Sequence, residues 1–379
     1  MTWKTAAVRV LICPDKFAGT LTAVEAASAI AAGWAAAAPA DDLVSRPLAD
    51  GGPGFIDVLA GAVGGARIPA ATVDPLGRPA SGEVLVVGER AYLESAQACG
   101  LHLLDPAECD PKITTSYGLG LLMIAAIETG ARELVIGLGG SATNDGGAGM
   151  LAALDAAPLD AAGYALPSGG AALVGCVALG GTPRLRGARL VAATDVDNPL
   201  TGLHGASSVF GPQKGATMPD ILLLDAALEN FAAVLERSLP DCPTGLAARP
   251  AGGAAGGLGA AIQALGGDVV SGITLVRELT GLDAALDAAD LVITGEGSFD
   301  AQSLRGKLVS GVASAARDRG LPCVVLAGQV SAGRREAAAA GVTQTYSLVG
   351  HFGTKEEAMA RPAAGLAALA GRLARQWSR

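Results

Sequence analysis

A glycine-rich segment with interspersed polar residues, 137–147, is the feature that most constrains the fold. It reads GLGGSATNDGG, follows the apolar run Leu134–Ile136 and precedes Ala148–Leu154, which has the composition of a helix start. Strand, glycine turn and helix in that order bring backbone N–H groups and a helix N-terminus up to an anion. We therefore expect an α/β fold whose loops hold an anionic ligand. The phosphate contacts predicted in this loop are Gly139, Gly140, Ser141, Thr143 and Asn144.

Composition and charge exclude several classes of protein. The chain has 379 residues, enough for two domains, and 50% of them are hydrophobic. A net charge of −9 and only 3% aromatic residues argue against nucleic acid and anionic membranes as partners. Six cysteines without a CxxC pair and three separated histidines argue against a zinc site or a disulfide framework. No signal peptide or membrane span is recognisable, so we expect a cytoplasmic monomer or small homo-oligomer.

Strands and helices alternate regularly at both ends of the chain but not in its middle. Such alternation predicts a parallel sheet. We therefore expect residues 1–76 and 289–379 to form one doubly wound parallel-sheet domain, into which a second α/β domain, 77–288, is inserted. In particular, the strands Val8–Cys13 and Leu291–Thr294 are expected to share a sheet.

Carboxylates and a lysine follow several predicted strands. Asp15 and Lys16 follow the first strand and Asp50 follows the second, at the strand ends where ligands of α/β proteins bind. Asp195 and Asp197 stand two residues apart on an extended segment and so face the same side, which suits a metal ion or a general base. Ordinary βα turns, and an Asx turn before Pro199, are the alternative interpretations.

Two further glycine patterns leave the function open at this point. The segment Gly252–Gly259 opens a helix, where its glycines either approach a phosphate or only allow close packing of the helix. The pattern Gly137-x-Gly139-x-x-Ala142 formally matches a dinucleotide fingerprint, although 143–147 delay the helix that should follow at once. An NAD(P)-dependent oxidoreductase and a non-enzymatic sensor of small anions are therefore alternative hypotheses.

Seven ordered motifs nevertheless resemble those of the bacterial type-I glycerate kinase family, and they span nearly the whole chain. GGSATNDGG, FGPQKGA and ITGEG together are highly specific. The matching segments are Pro14–Ala23, Ala49–Gly52, Gly139–Leu151, Asp195–Leu200, Gly205–Ala216, Ala254–Ala261 and Asp290–Lys307.

The resemblance implies a glycerate kinase that uses ATP and Mg²⁺, with 2-phosphoglycerate as the favoured product, and a flavodoxin-like domain carrying the inserted one. Such an enzyme needs positioning, charge neutralisation and a base for the attacking hydroxyl. The expected catalytic residues are Asp195, Lys214 and Lys307, and the expected metal ligands are Asp195 and Asp197. Gly256, Gly257 and Glu296 are added to the nucleotide site. The expected substrate-binding residues are Asp15, Lys16, Asp50 and Asp300.

The sequence departs from the family pattern in three loops expected to contact substrate. Ala18 replaces the usual lysine of the first motif, while Lys16 lies two residues earlier. Pro53-Gly54-Phe55 stands where Glu-Gly-Thr is usual, and Ser298-Phe299 stands where Arg-Leu is usual. These differences bear on the choice of substrate rather than on the class of reaction.

Overall fold

The computed structural model describes residues 7–301, 303–304 and 308–378, and the chain divides into two compact units. The first unit comprises Met1–Ala49, Asp57–Ala62 and Val276–Arg379. The second comprises Asp50–Ile56 and Val63–Leu275. Among the described residues, no helix is long and apolar enough to cross a membrane.

The regular elements are numbered along the chain. The strands are β1 (Arg9–Ile12), β2 (Asp42–Ser45), β3 (Ala66–Val73), β4 (Pro79–Val87), β5 (Arg90–Glu94), β6 (Glu133–Gly137), β7 (Ala157–Leu159), β8 (Ala178–Gly180), β9 (Arg189–Ala193), β10 (Asp268–Val270), β11 (Leu291–Phe299), β12 (Cys323–Val330) and β13 (Gln344–Ser347). The α-helices are α1 (Ala23–Ala37), α2 (Phe55–Val63), α3 (Ala96–Cys99), α4 (Tyr117–Glu128), α5 (Ala148–Ala153), α6 (Ala206–Phe210), α7 (Met218–Ser238), α8 (Leu258–Ala264), α9 (Gly272–Thr280), α10 (Leu282–Asp287), α11 (Leu308–Arg317), α12 (Arg334–Ala339), α13 (Leu348–Phe352), α14 (Lys355–Ala360) and α15 (Pro362–Trp377).

The first unit contains a five-stranded parallel sheet in the order β13-β12-β11-β1-β2. Counted within the unit, this is the order 2-1-3-4-5 of flavodoxin-like sheets. The pairing expected between the first strand and the strand near 291 is confirmed, because Ile12 lies opposite Ile293 in the β1–β11 ladder.

Helices α1 and α15 of this unit pack closely. Thr22 and Glu25 form a capping box at the start of α1. The helix runs through Gly33 and continues to Ala37. A Cβ at Gly33 would lie 2.1 Å from the Ala367 carbonyl oxygen of α15, so the glycine is needed for helix contact rather than for termination.

The second unit contains a six-stranded mixed sheet in the order β10-β9-β6-β5-β4-β3. β10, β9, β6 and β5 are parallel, whereas β3, β4 and β5 form antiparallel pairs. The predicted boundaries near 76 and 289 therefore need correction. β3 pairs with β4 along its whole length and so belongs to the second unit, which begins its main segment at Val63 and ends at Leu275.

The carboxyl ends of the four parallel strands lie in register at one edge of this sheet. Glu94, Gly137, Ala193 and Val270 follow one another across it. Loops that leave the carboxyl ends of parallel strands form the ligand crevice of open α/β sheets. This edge is where most of the predicted site residues of the second unit lie.

Candidate active site

Asp195 leaves the end of β9 and is held by the first turn of α9. Its Oδ1 accepts a hydrogen bond from the Ser271 hydroxyl at 2.6 Å, and its Oδ2 accepts one from the Ile273 N–H at 3.0 Å. Ser271 also caps α9, since its Oγ accepts a hydrogen bond from the Thr274 N–H. The residue stays exposed, so two donors hold a carboxylate that solvent or a substrate can reach.

The charged neighbour that influences Asp195 is Asp50. Partial burial of the carboxylate raises the pKa of Asp195, the Ser271 and Ile273 hydrogen bonds oppose that rise, and the charge of Asp50 adds to it. Asp50 itself accepts a hydrogen bond from the Gly52 N–H at 3.1 Å. The partner expected from spacing, Asp197, is exposed. The sheet edge therefore brings Asp195 together with Asp50.

The described residues contain no metal site built by the protein alone. Among them, no three or more His, Cys, Asp or Glu side chains are grouped so that they could hold a metal ion. Both oxygens of Asp195 already accept hydrogen bonds from protein donors. The donor set therefore does not fit a closed cage for Mg²⁺, and the metal role of Asp195 and Asp197 stays a prediction.

The glycine-rich loop after β6 turns most of its polar side chains inward. Thr143, Asn144 and Asp145 have no exposed surface, and Ser141 is 6% exposed. Asp145 accepts hydrogen bonds from the Ser116 N–H and hydroxyl, both at 2.8 Å, and burial raises its pKa. The Asn144 amide donates to the Ser207 hydroxyl at 2.9 Å. These side chains bind other parts of the second unit.

Two atoms of the loop retain hydrogen-bonding capacity. The Thr143 hydroxyl and the Asn144 amide oxygen are enclosed and have no hydrogen-bond partner among the residues that the structure describes. Gly140 is exposed and Gly139 is half-buried. Two of the five residues predicted to contact phosphate, Gly139 and Gly140, therefore have backbone that is accessible from outside the protein.

Lys214 is buried beneath the same loop. Its side chain is 2% exposed, and its ammonium donates hydrogen bonds to the Thr143 carbonyl at 2.7 Å and the Ser141 hydroxyl at 3.1 Å. Burial lowers the pKa of Lys214 to about 8, while Asp145 opposes the shift. The predicted catalytic lysine thus contacts the loop itself, and its catalytic role stays a prediction.

The segment around Gly256 packs against this loop, backbone to backbone. Gly256 has φ +70°, and a Cβ there would lie 1.9 Å from the Thr143 carbonyl oxygen. A Cβ at Gly257 would lie 2.5 Å from the Gly146 Cα, and the Gly146 N–H donates to the Gly256 carbonyl. Both glycines are buried, which favours the alternative of close packing, and their assignment to the nucleotide stays a prediction.

The first unit has a cavity of about 450 Å³ at the carboxyl ends of its parallel strands. Four predicted residues line it, namely Asp15, Lys16, Glu296 and Asp300. The Lys16 ammonium lies 3.8 Å from Asp15 Oδ1. Two positions where the sequence departs from the family pattern, Ala18 and Ser298, also line it. The predicted substrate-binding residues are thus divided between the two units, because Asp50 belongs to the second unit and the others to the first.

Sequence reasoning missed two parts of these sites. Ser271 follows a strand and precedes a helix, and a serine at that position is a capping signal that could have been used. The residues from α13 and α14 that line the cavity, Leu348, Val349, Lys355, Ala358 and Met359, carry no motif. Lys307 lies outside the described residues.

Comparison with known proteins yields consistent matches. The model of the glycerate kinase family matches residues 10–378. A glycerate kinase of Bacillus subtilis is 40% identical over 348 residues, 90% of each chain, and a glycerate 2-kinase of Escherichia coli is 40% identical over 357 residues, 93% of each chain. The crystal structure of a putative glycerate kinase 2 from Salmonella typhimurium superposes with a TM-score of 0.80, at 36% identity over 98% of each chain.

Proposed function

The chain belongs to the glycerate kinase family of ATP-dependent phosphotransferases, and from that premise we propose that it transfers the γ-phosphoryl group of ATP to the C2 hydroxyl of D-glycerate. The products are 2-phosphoglycerate and ADP. The name of the Escherichia coli relative, a glycerate 2-kinase, supports the choice of this hydroxyl.

The observation that carries the proposal is the way Asp195 is held. Ser271 and the first turn of α9 fix its carboxylate, partial burial raises its pKa, and the residue stays exposed. A general base needs a fixed position and a pKa raised toward the working pH. In this proposal Asp195 accepts the hydroxyl proton while the glycerate oxygen forms a bond to the γ-phosphorus. The bond from that phosphorus to the bridging oxygen of ADP breaks.

Other residues position the reacting groups or neutralise their charge. Lys214 holds the 139–147 loop through Ser141 and Thr143, and the backbone of Gly139 and Gly140 supplies N–H groups toward phosphate. Lys307, which the sequence motifs indicate, is proposed as the cation that neutralises charge developing in the transition state. Mg²⁺ bound to the phosphates of ATP would supply further charge neutralisation.

A coupled assay of ADP release tests the proposal. Release should occur with ATP only when D-glycerate is present, and ³¹P NMR of the product should show phosphate on C2. Product phosphorylated on C3 would overturn the choice of hydroxyl. A glycerate-dependent change in nicotinamide absorbance would instead support an oxidoreductase, and ligand binding without either reaction would support a sensor.

A further inference from the structure

The cavity of the first unit has the dimensions of a nucleotide site rather than of a site for a small acid. Its volume is about 450 Å³, within the range of pockets that enclose drug-sized ligands. Glycerate, a small hydroxy acid, would leave most of that volume unfilled. Of the described lining residues, three are acids and two are lysines, which is an unfavourable balance for a small carboxylate alone.

The position of the cavity in the sheet agrees with this size. In the order 2-1-3-4-5 the direction of strand addition reverses between β1 and β11, and ligands of such sheets bind at that reversal. The segment after β1 contributes Lys16 and Phe17, and the end of β11 contributes Glu296 and Ser298. The cavity therefore opens at the point where this class of sheet binds nucleotide-like molecules.

The lining divides into parts that match the parts of a nucleotide. One side is apolar and comes from α13 and α14, where Leu348 is buried, Val349 is half-buried and Met359 is 50% exposed. Gly297 and Gly328 also line the cavity and add backbone without a side chain. An apolar wall beside bare backbone suits the flat face of a base.

The polar lining suits the remaining groups of the same ligand. Carboxylates such as Glu296 and Asp300 are acceptors for ribose hydroxyls, as acidic residues are in dinucleotide sites. Lys16 and Lys355 are the cations for phosphate. Gln329 carries an amide that can pair with the edge of adenine, and its Nε2 donates to the Ser298 hydroxyl at 3.1 Å.

We infer that this cavity binds the adenosine part of ATP, with Leu348, Val349 and Met359 against the base and Lys16 and Lys355 toward the phosphates. The identity of the nucleotide rests on the proposed kinase function; the location of the site rests on the cavity. This assignment moves the base of the nucleotide away from the glycine loops of the second unit, and it gives Lys16 a phosphate rather than the glycerate carboxylate.

The test is calorimetric titration of the full chain with ATP and no acceptor. Met359→Glu puts a carboxylate against the base and should raise the Kd for ATP about tenfold or more, the loss of one well-placed contact. In the coupled assay, KM for ATP should rise. KM for glycerate should change by no more than about twofold, which is less than the loss of one contact would cause. Met359→Leu keeps an apolar side chain against the base and should raise the Kd for ATP less than Met359→Glu does. The matched control is Met218→Glu, which changes an exposed methionine of the second unit that does not line the cavity.

An unchanged Kd in Met359→Glu, an equal loss in Met218→Glu, or a rise in KM for glycerate alone would overturn the inference. Circular dichroism and thermal melting establish that the variants are folded. If Met359→Glu does not fold, Met359→Ala takes its place, with the same direction expected. Wild-type protein that binds ATP without phosphorylating glycerate would refute the proposed function and leave the site standing. Glycerate phosphorylation whose KM for ATP is unchanged by Met359→Glu would refute the site and leave the proposed function standing.

Discussion

The sheet edges of the two units carry similar sequence features and use them differently. In the second unit, the polar residues of the 139–147 loop are enclosed, and Thr143, Asn144 and Asp145 expose no surface. In the first unit, the polar residues that follow β1 and end β11 line an open cavity of about 450 Å³. Glycine occurs at both edges, so glycine content alone does not distinguish a ligand loop from a packed one.

The segment that faces each loop makes the difference. The 139–147 loop meets a second glycine-rich segment around Gly256. Because glycines have no side chains, the two segments pack backbone to backbone. The loops of the first unit share their cavity with side chains of α13 and α14. At this edge of the second unit, Asp195 presents a held carboxylate to the outside.

The largest effect should come from that exposed carboxylate. Asp195→Asn keeps size and shape but removes the base, so kcat should fall by about 10²–10⁴-fold, while the Kd for ATP changes little. Steady-state kinetics and calorimetry measure the two quantities separately. Asp241→Asn, which changes an exposed aspartate of the same unit, is the control. A variant with near-wild-type kcat would reduce Asp195 to an Asx-turn residue.

Breaking the contact between the two glycine segments should be next in size. Gly256→Ala places a methyl group 1.9 Å from the Thr143 carbonyl oxygen at φ +70°, and should lower the free energy of unfolding by ~3 kcal/mol or more. Gly245 has the same φ, but the position that a Cβ would take there has no described atom within 4 Å, so Gly245→Ala should cost only ~1 kcal/mol. Urea denaturation compares them; equal losses would mean that the contact is unimportant.

The next prediction concerns Lys214, the buried titratable group beneath the 139–147 loop. Its pKa of about 8 in the folded chain lies below the ordinary 10.5, so between these values the unfolded chain holds a proton that the folded one has released. Stability from this group therefore rises with pH across that window. The advantage of wild type over Lys214→Met should be ~1–3 kcal/mol larger near pH 10 than near pH 7.

Denaturation curves at the two pH values measure this change. Lys112→Met is the control, because a hydrogen bond to Asp220 raises the pKa of Lys112 and its contribution should not grow with pH. A pH-independent difference between wild type and Lys214→Met would show that Lys214 titrates normally.

The smallest effect should follow from removing the hydroxyl that holds Asp195. Ser271→Ala deletes one hydrogen bond to a charged group and should lower kcat about tenfold, with KM for ATP unchanged. Because Ser271 is argued to act through Asp195, the substitution should have no further effect in an Asp195→Asn background. Additive losses in the double variant would show an independent role for the serine.

The sequence predicted the elements whose causes are local. Alternation of strands and helices identified the parallel sheet and the pairing of β1 with β11. Strand-end logic identified Asp195, Asp15 and Lys16 as residues at sheet edges. Each of these follows from the order of residues within a short window.

What remained hidden depends on contacts between distant segments. The burial of Lys214 beneath the loop and the contact of Gly256 with Thr143 join residues 71 and about 110 positions apart. The apolar side of the cavity, with Leu348 and Met359, is built from ordinary helix residues that carry no motif. Whether a glycine serves a ligand or another backbone is decided by what lies opposite, which a linear pattern does not contain.

The position of β1 between β2 and β11 also has a consequence for synthesis of the protein. The strand that pairs with β1 on its second side begins at Leu291, 281 residues after Val10, its register partner. A growing chain therefore emerges from the ribosome with an apolar strand that has one edge unpaired until Leu291 and the residues after it have been made. The second unit, which ends at Leu275, is complete before that strand appears. Since domains fold as units during synthesis, the inserted unit folds first and the unit that contains both termini closes last.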